Sequence, residues 1–118
     1  MNMKIYISGK ITGLLPDEYT SNFAAAEKAL VEAGIPAENI VNPCKLGIPA
    51  EGSWGDAMQT CLDALKPCTA IYMLRCWEDS FGARHELTQA GIQRKDIYFE
   101  ESNDIEMIRE CIRTGVLS

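Results

Sequence analysis

Chemistry in this chain concentrates in the ten residues from Trp77 to Glu86, Trp-Glu-Asp-Ser-Phe-Gly-Ala-Arg-His-Glu. Ser80 is an N-cap residue type and Gly82 follows in the first turn, so a helix opening here offers a hydroxyl, exposed amides and the positive end of its dipole. Glu86 lies less than two turns inside that helix. At about 100° per residue, Ala83, Leu87 and Ala90 form the buried stripe and Glu86 flanks its edge. An acid placed there lies over a cleft and stays ionised, as a nucleophile must. The bland alternative is a solvated helical glutamate. His85 falls on the opposite side of the stripe, toward water. Trp77 offers a ring to stack on a planar ligand, or a cover for the core.

A second candidate is Ser8-Gly9-Lys10-Ile11-Thr12-Gly13, which sets two glycines, two hydroxyls and a lysine directly after a strand. Glycines let the backbone approach a ligand, and free N–H groups there hold an oxyanion or phosphate. The spacing is neither that of a P-loop nor G-x-G-x-x-G, so a plain turn is equally open. Five cysteines, at 44, 61, 68, 76 and 111, form no C-x-x-C pair. An odd, dispersed set argues for reduced thiols in a cytoplasmic protein and against a disulfide framework or zinc site. The single histidine, His85, has no companion at ligand spacing. No metal and no cofactor is expected, and a Ser-His-Asp relay is disfavoured.

The elements that position these loops follow from periodicity. Lys4–Ser8 is a β-rich run, and Asp17–Ala33 carries Phe23, Ala26, Leu30 and Ala33 at helical steps, closed by Gly34. Asn39–Asn42 reads as a second strand ended by Pro43, and Pro43–Gly52 as a loop. Ser53 caps a helix to about Lys66 with Met58, Cys61, Leu62 and Leu65 on one face, and Pro67 breaks it. Thr69–Leu74 is a continuous apolar strand, the pattern of burial on both faces. A helix from Ser80 to about Ala90, a strand at 96–99 and a helix over roughly 103–113 complete the chain. Alternation at this spacing predicts one α/β domain over residues 1–118. The expected architecture is an open parallel sheet of four to five strands with helices on both faces, a flavodoxin- or Rossmann-like three-layer sandwich. Ligands of such sheets sit beyond the carboxyl ends of the strands, which selects the loops 9–16, 43–52 and 75–80.

Composition bounds the partners. The 118 residues are 47% hydrophobic and 24% charged, ordinary values for a globular domain. Eleven Lys and Arg against seventeen Asp and Glu give a net charge of −6, which argues against a nucleic-acid polymer or an anionic membrane as partner. A small anionic ligand needs only local donors and stays open. No apolar run approaches the roughly 20 residues of a membrane span. Met1-Asn2-Met3-Lys4 enters the first strand pattern at once, leaving no room for a signal peptide.

Taken in order, Tyr6-Ile7-Ser8-Gly9-Lys10-Ile11-Thr12-Gly13, Asn42-Pro43, Trp54, Ala70-Ile71-Tyr72-Met73-Leu74 and Trp77-Glu78-Asp79-Ser80-x-Gly82-Ala83-x-x-Glu86 resemble a bacterial and phage domain family of unknown function. That family looks like a branch of the nucleoside 2-deoxyribosyltransferase superfamily, which includes the deoxynucleoside 5′-monophosphate N-hydrolases. The resemblance covers residues 3 to about 100. It implies that Glu86 is the nucleophile attacking the anomeric carbon of a (deoxy)ribose, with Tyr6 near the reacting sugar. It implies that Ser80 and Gly82 bind the sugar or its 5′-phosphate. Ser8, Gly9, Lys10, Ile11 and Thr12 fall on the phosphate- and base-side loop, Thr12 standing where the monophosphate hydrolases carry an arginine. Asn42 and Trp77 join the implied substrate-binding set. A small nucleoside or nucleotide is the implied partner, bound by a homo-oligomer whose subunits complete one another's pockets.

One departure bears on mechanism. Superfamily members carry an aspartate on the second helix, eight residues before an aspartate leading the third strand. Here those positions are Cys61 and Thr69. Asp56 and Asp63 are near but share a face roughly opposite the apolar stripe, toward water. Three readings therefore stand: an N-glycosidase or deoxyribosyl transferase, a nucleotide binder or sensor without turnover, and a purely structural interaction domain.

Overall fold

The computed structural model describes residues 3–48 and 52–115, so Met1, Asn2 and the Pro49 end of the second predicted loop lie outside the described residues. The order of elements is β1 (Ile5–Ser8), α1 (Pro16–Glu32), β2 (Ile40–Val41), α2 (Trp54–Leu65), β3 (Ala70–Met73), α3 (Phe81–Ile92), β4 (Asp96–Phe99) and α4 (Ile105–Thr114). Single 3₁₀ turns occupy Ala37–Asn39, Pro43–Lys45 and Trp77–Asp79. The two that flank β2 shorten it to two residues, against the four that periodicity suggests, because Pro36 and Pro43 start a turn on either side.

All strand pairs among the described residues are parallel, in the order β2-β1-β3-β4. Alternation along the strands sorts their side chains between two cores. Ile5, Ile7, Ala70, Tyr72, Leu74 and Tyr98 face α1 and α4, where Phe23, Ala26, Leu30 and Ile108 are buried. Tyr6, Ile71 and Met73 face α2 and α3, where Leu65, Ala83 and Ala90 close the second layer. The expected three-layer sandwich is the observed one, with four strands.

Caps set where the helices begin. Ser53 Oγ accepts the Asp56 amide at 3.0 Å and Ser80 Oγ accepts the Ala83 amide at 3.1 Å. Such a bond satisfies an otherwise orphaned donor in the first turn. Gly34 leaves α1 at φ +116°, where an added Cβ would come within 2.9 Å of Ile112 Cγ2, so this turn demands glycine twice over. Among the described residues no helix is long and apolar enough to cross a membrane. Because β1 sits between β2 and β3, chain connections diverge at the β1/β3 boundary, which is where open α/β sheets leave a crevice.

Candidate active site

Tyr6 and Ser8 are two residues apart on β1 and therefore project to the same side, toward α3. The Tyr6 hydroxyl donates to Glu86 Oε2 at 2.5 Å and the Ser8 hydroxyl donates to Glu86 Oε1 at 2.6 Å. Each carboxylate oxygen thus has its own short, charge-assisted donor. Glu86 is only 6% exposed and shares the buried stripe of α3 with Ala83 and Ala90. The helical wheel sets it at the edge of that stripe. The structure moves it inward, because two hydroxyls from β1 supply the partners that a buried carboxyl group requires.

Burial changes its acidity. Desolvation pushes Glu86 from 4.5 up to about 7, against the opposing pull of the Ser8 and Tyr6 hydrogen bonds. The expectation that this acid simply stays ionised is therefore corrected: near neutrality its two protonation states are comparably populated. The Tyr6 phenol is pushed well above its usual range, by burial first and by the adjacent Glu86 charge second. It is thus a proton-bearing donor at any physiological pH.

Glu86 opens onto a cavity of about 780 Å³. This is the size class of small-molecule sites. Gly9, Ile11 and Thr12 supply one wall, Ser80 and Gly82 another, and Cys61 faces it from α2. The first and third loops selected from the sequence thus meet in one cleft, joined by the described part of the second. Lys10, Asn42 and Trp77 are not among its lining residues. Asn42 is buried, donating to Glu27 at 3.2 Å and accepting the Cys44 amide at 3.0 Å. Trp77 lies 5.7 Å from the Phe99 ring and donates to Glu101 at 3.3 Å, tying its loop to the end of β4. Tyr6 and Ser8 are fully buried behind Glu86 and act on the cleft through it. His85 is half-buried and also off the lining, whereas Asp56 and Asp63 are exposed as the wheel requires.

Of the two departures from the acid pattern, only Cys61 reaches the site. Its thiol is pushed up by burial and lies beside the Tyr6 hydroxyl. Thr69 sits at the opposite end of the strands, accepting the Lys4 amide at 3.1 Å. All five cysteines are unpaired.

The cavity also recruits residues to which the sequence reading gave no role in the site. Tyr19 and Thr20 come from α1, Ile48 from the second loop, and Trp54, Ala57 and Met58 from α2. Asp79 adds a second carboxylate, one residue before the Ser80 cap. Its position in the same loop was the available signal.

Fold and site together define a single-sheet α/β domain with a hydroxyl-bound carboxylate at the strand-order switch. The chain belongs to the family described as Domain of unknown function (DUF4406), whose match spans residues 3–99 and so covers all four strands and α1 to α3. No curated protein matches the chain. No solved structure matches it.

Proposed function

We propose that the protein cleaves or transfers the N-glycosidic bond of a nucleoside or nucleotide, with Glu86 as nucleophile. One observation carries this reading: a buried carboxylate, clamped on both oxygens by Tyr6 and Ser8, opening onto a cavity sized for a small molecule. The clamp fixes the rotamer, and the low-dielectric surroundings strengthen its interaction with positive charge developing nearby.

The chemistry follows from that geometry. N-glycosidic cleavage passes through an oxocarbenium-like state at the anomeric carbon, which a carboxylate stabilises and then traps. In its ionised form, Glu86 forms a C–O bond to the anomeric carbon as the C–N bond breaks and its electron pair leaves with the base. The departing base takes up a proton from solvent. Water then attacks the same carbon, loses a proton to solvent and frees the carboxylate, or a second base takes the place of water. Ser80, Gly82 and the free first-turn amides of α3 bind sugar hydroxyls or a 5′-phosphate.

The reading carries with it membership of the nucleoside 2-deoxyribosyltransferase-like superfamily, a cytoplasmic location and a homo-oligomeric state. The net charge of −6 supports a small ligand over a nucleic-acid polymer or an anionic membrane. Liberated base, measured by chromatography after incubation with a panel of nucleosides and 5′-monophosphates, tests it. Binding without release of base overturns it.

A second reading is favoured by Cys61. A thiol beside Tyr6 cannot take the part of an orienting carboxylate, and a domain that retains the cleft without that acid serves as a nucleotide binder or sensor. The same assay separates the two, since the binder shows a ligand-induced thermal shift and no turnover.

A further inference from the structure

Two large aromatic side chains at the rim of the cleft have no role in the reaction described above. Trp54 and Phe81 both line the cavity that Glu86 opens onto, yet they are 52% and 66% exposed. Their ring centroids are 5.5 Å apart at an interplanar angle of 62°. Each is the first residue of its helix, directly after the serine caps Ser53 and Ser80, so the backbone beneath both rings is fixed by a side-chain hydrogen bond. The Arg84 guanidinium lies over the Phe81 ring, 5.8 Å from its centre, and holds it from the next turn of α3. Gly82 sits beside this pair, where an added Cβ would make ordinary contacts with Met58 Sδ at 3.7 Å and Trp54 Cζ2 at 4.0 Å.

We propose that Trp54, braced edge-to-face by Phe81, forms the ledge that holds the base of the substrate by stacking. The inference rests on the N-glycosidic reading and specifies how it selects its leaving group. Clustered exposed apolar surface marks an interaction site, and here it rims a cavity whose deep end holds a carboxylate. The cleft is therefore divided: the sugar goes inward toward Glu86 and the flat ring stays at the aromatic mouth. Among the described lining residues the charged side chains are Asp79 and Glu86, and no Lys or Arg is present. Charge pairing thus contributes little to holding a neutral base at this wall, and stacking is left as the main source of affinity for that part of the substrate. Stacking is tolerant, because every base has a π face. Purine and pyrimidine nucleosides are therefore both accepted.

The test uses 2′-deoxyadenosine, thymidine and free 2-deoxyribose as probes, with binding read by calorimetry and tryptophan emission. Trp54→Ala and Phe81→Ala each weaken binding of both nucleosides by about tenfold and leave any binding of the free sugar unchanged. Trp54→Phe, which keeps a ring, retains most of the affinity while abolishing the emission change seen in the wild type. Circular dichroism confirms that the variants are folded. Wild-type affinity in both alanine variants overturns the ledge, even if base is released. Ledge-dependent binding with no base released keeps the ledge and overturns the glycosidic reading alone. No binding of any probe or of its 5′-monophosphate overturns both.

Discussion

The Tyr6 hydroxyl and the Glu86 carboxylate meet at 2.5 Å although 80 residues of sequence separate them. The contact joins the first strand to the third helix across the sheet, and Ser8 repeats it on the other oxygen at 2.6 Å. A carboxyl group held this way has one orientation. Its charge state is then set by the competition between desolvation, which favours the neutral acid, and two donors, which favour the anion.

That competition predicts a pH profile. A nucleophile raised to about 7 makes kcat/KM for base release climb with pH through neutrality and level off above it. Ser8 lowers the Glu86 value more than Tyr6 does. Ser8→Ala therefore moves the rising limb to higher pH, and Tyr6→Phe moves it in the same direction by less. Steady-state rates of base release across pH 5–9 check both the sign and the order. A limb that stays in place in both variants separates Glu86 from the rate.

Stability responds with a defined sign. Glu86 binds its proton more tightly in the folded state, about 7 against 4.5 when exposed, so its favourable contribution is full below about pH 4.5 and is lost as pH rises through 7. The loss amounts to about 3 kcal/mol for a group this buried. Glu86→Gln carries no such dependence. Urea denaturation at pH 4.5 and pH 8 is expected to show the wild type losing stability relative to the variant. The same variant retains nucleoside binding while base release falls to background.

Strand periodicity, the Ser53 and Ser80 caps and the Gly34 stop made all eight helices and strands legible from the sequence. Each is a local property that needs no neighbour. Glu86 was legible as a position through the Ser80-x-Gly82-x-x-x-Glu86 spacing, but its burial was not. A wheel reports which face a residue takes, and only the sheet reveals that two hydroxyls wait there. That Tyr6 and Ser8 share a face was readable from their two-residue separation. That the face is turned to α3 depends on packing. Trp54, Tyr19 and Thr20 enter the cleft from helices whose approach to the strand ends is a tertiary matter, and no spacing announces it.

Gly9 marks the mouth of the first loop, and its lack of a side chain is a packing requirement. An added Cβ would fall 2.9 Å from Leu74 Cδ1 and 3.0 Å from Leu74 Cβ, and Leu74 is buried. Gly9→Ala is expected to cost about 1–3 kcal/mol through overpacking. Gly91→Ala, inside α3 with nothing within 4 Å, is expected to gain about 0.5–1 kcal/mol of helix stability. Thermal melts of the pair should move in opposite directions, and a neutral Gly9→Ala would mean that Leu74 yields freely.

Cys61 decides between catalysis and binding. Its thiol lies beside Tyr6 and faces the cavity, so Cys61→Asp sets a carboxylate at the position where the superfamily that the chain resembles carries its helix-borne aspartate. A new negative charge close to Glu86 makes the second ionisation harder, and the two acids then titrate as a coupled pair. The rising limb of the pH profile shifts upward. With the shared proton on the new aspartate and Glu86 ionised, the variant is expected to release base about 10²-fold faster than the wild type, the lower end of what a positioned acid supplies, and the rate falls again at the pH where that proton is lost. Melting temperature should fall with pH more steeply than in the wild type. If Cys61→Asp turns over while the wild type does not, the natural thiol marks a binder. If the variant shifts stability in this way and leaves the rate untouched, the leaving base receives its proton from elsewhere, and Asp79, on the same cavity wall, is the next group to replace.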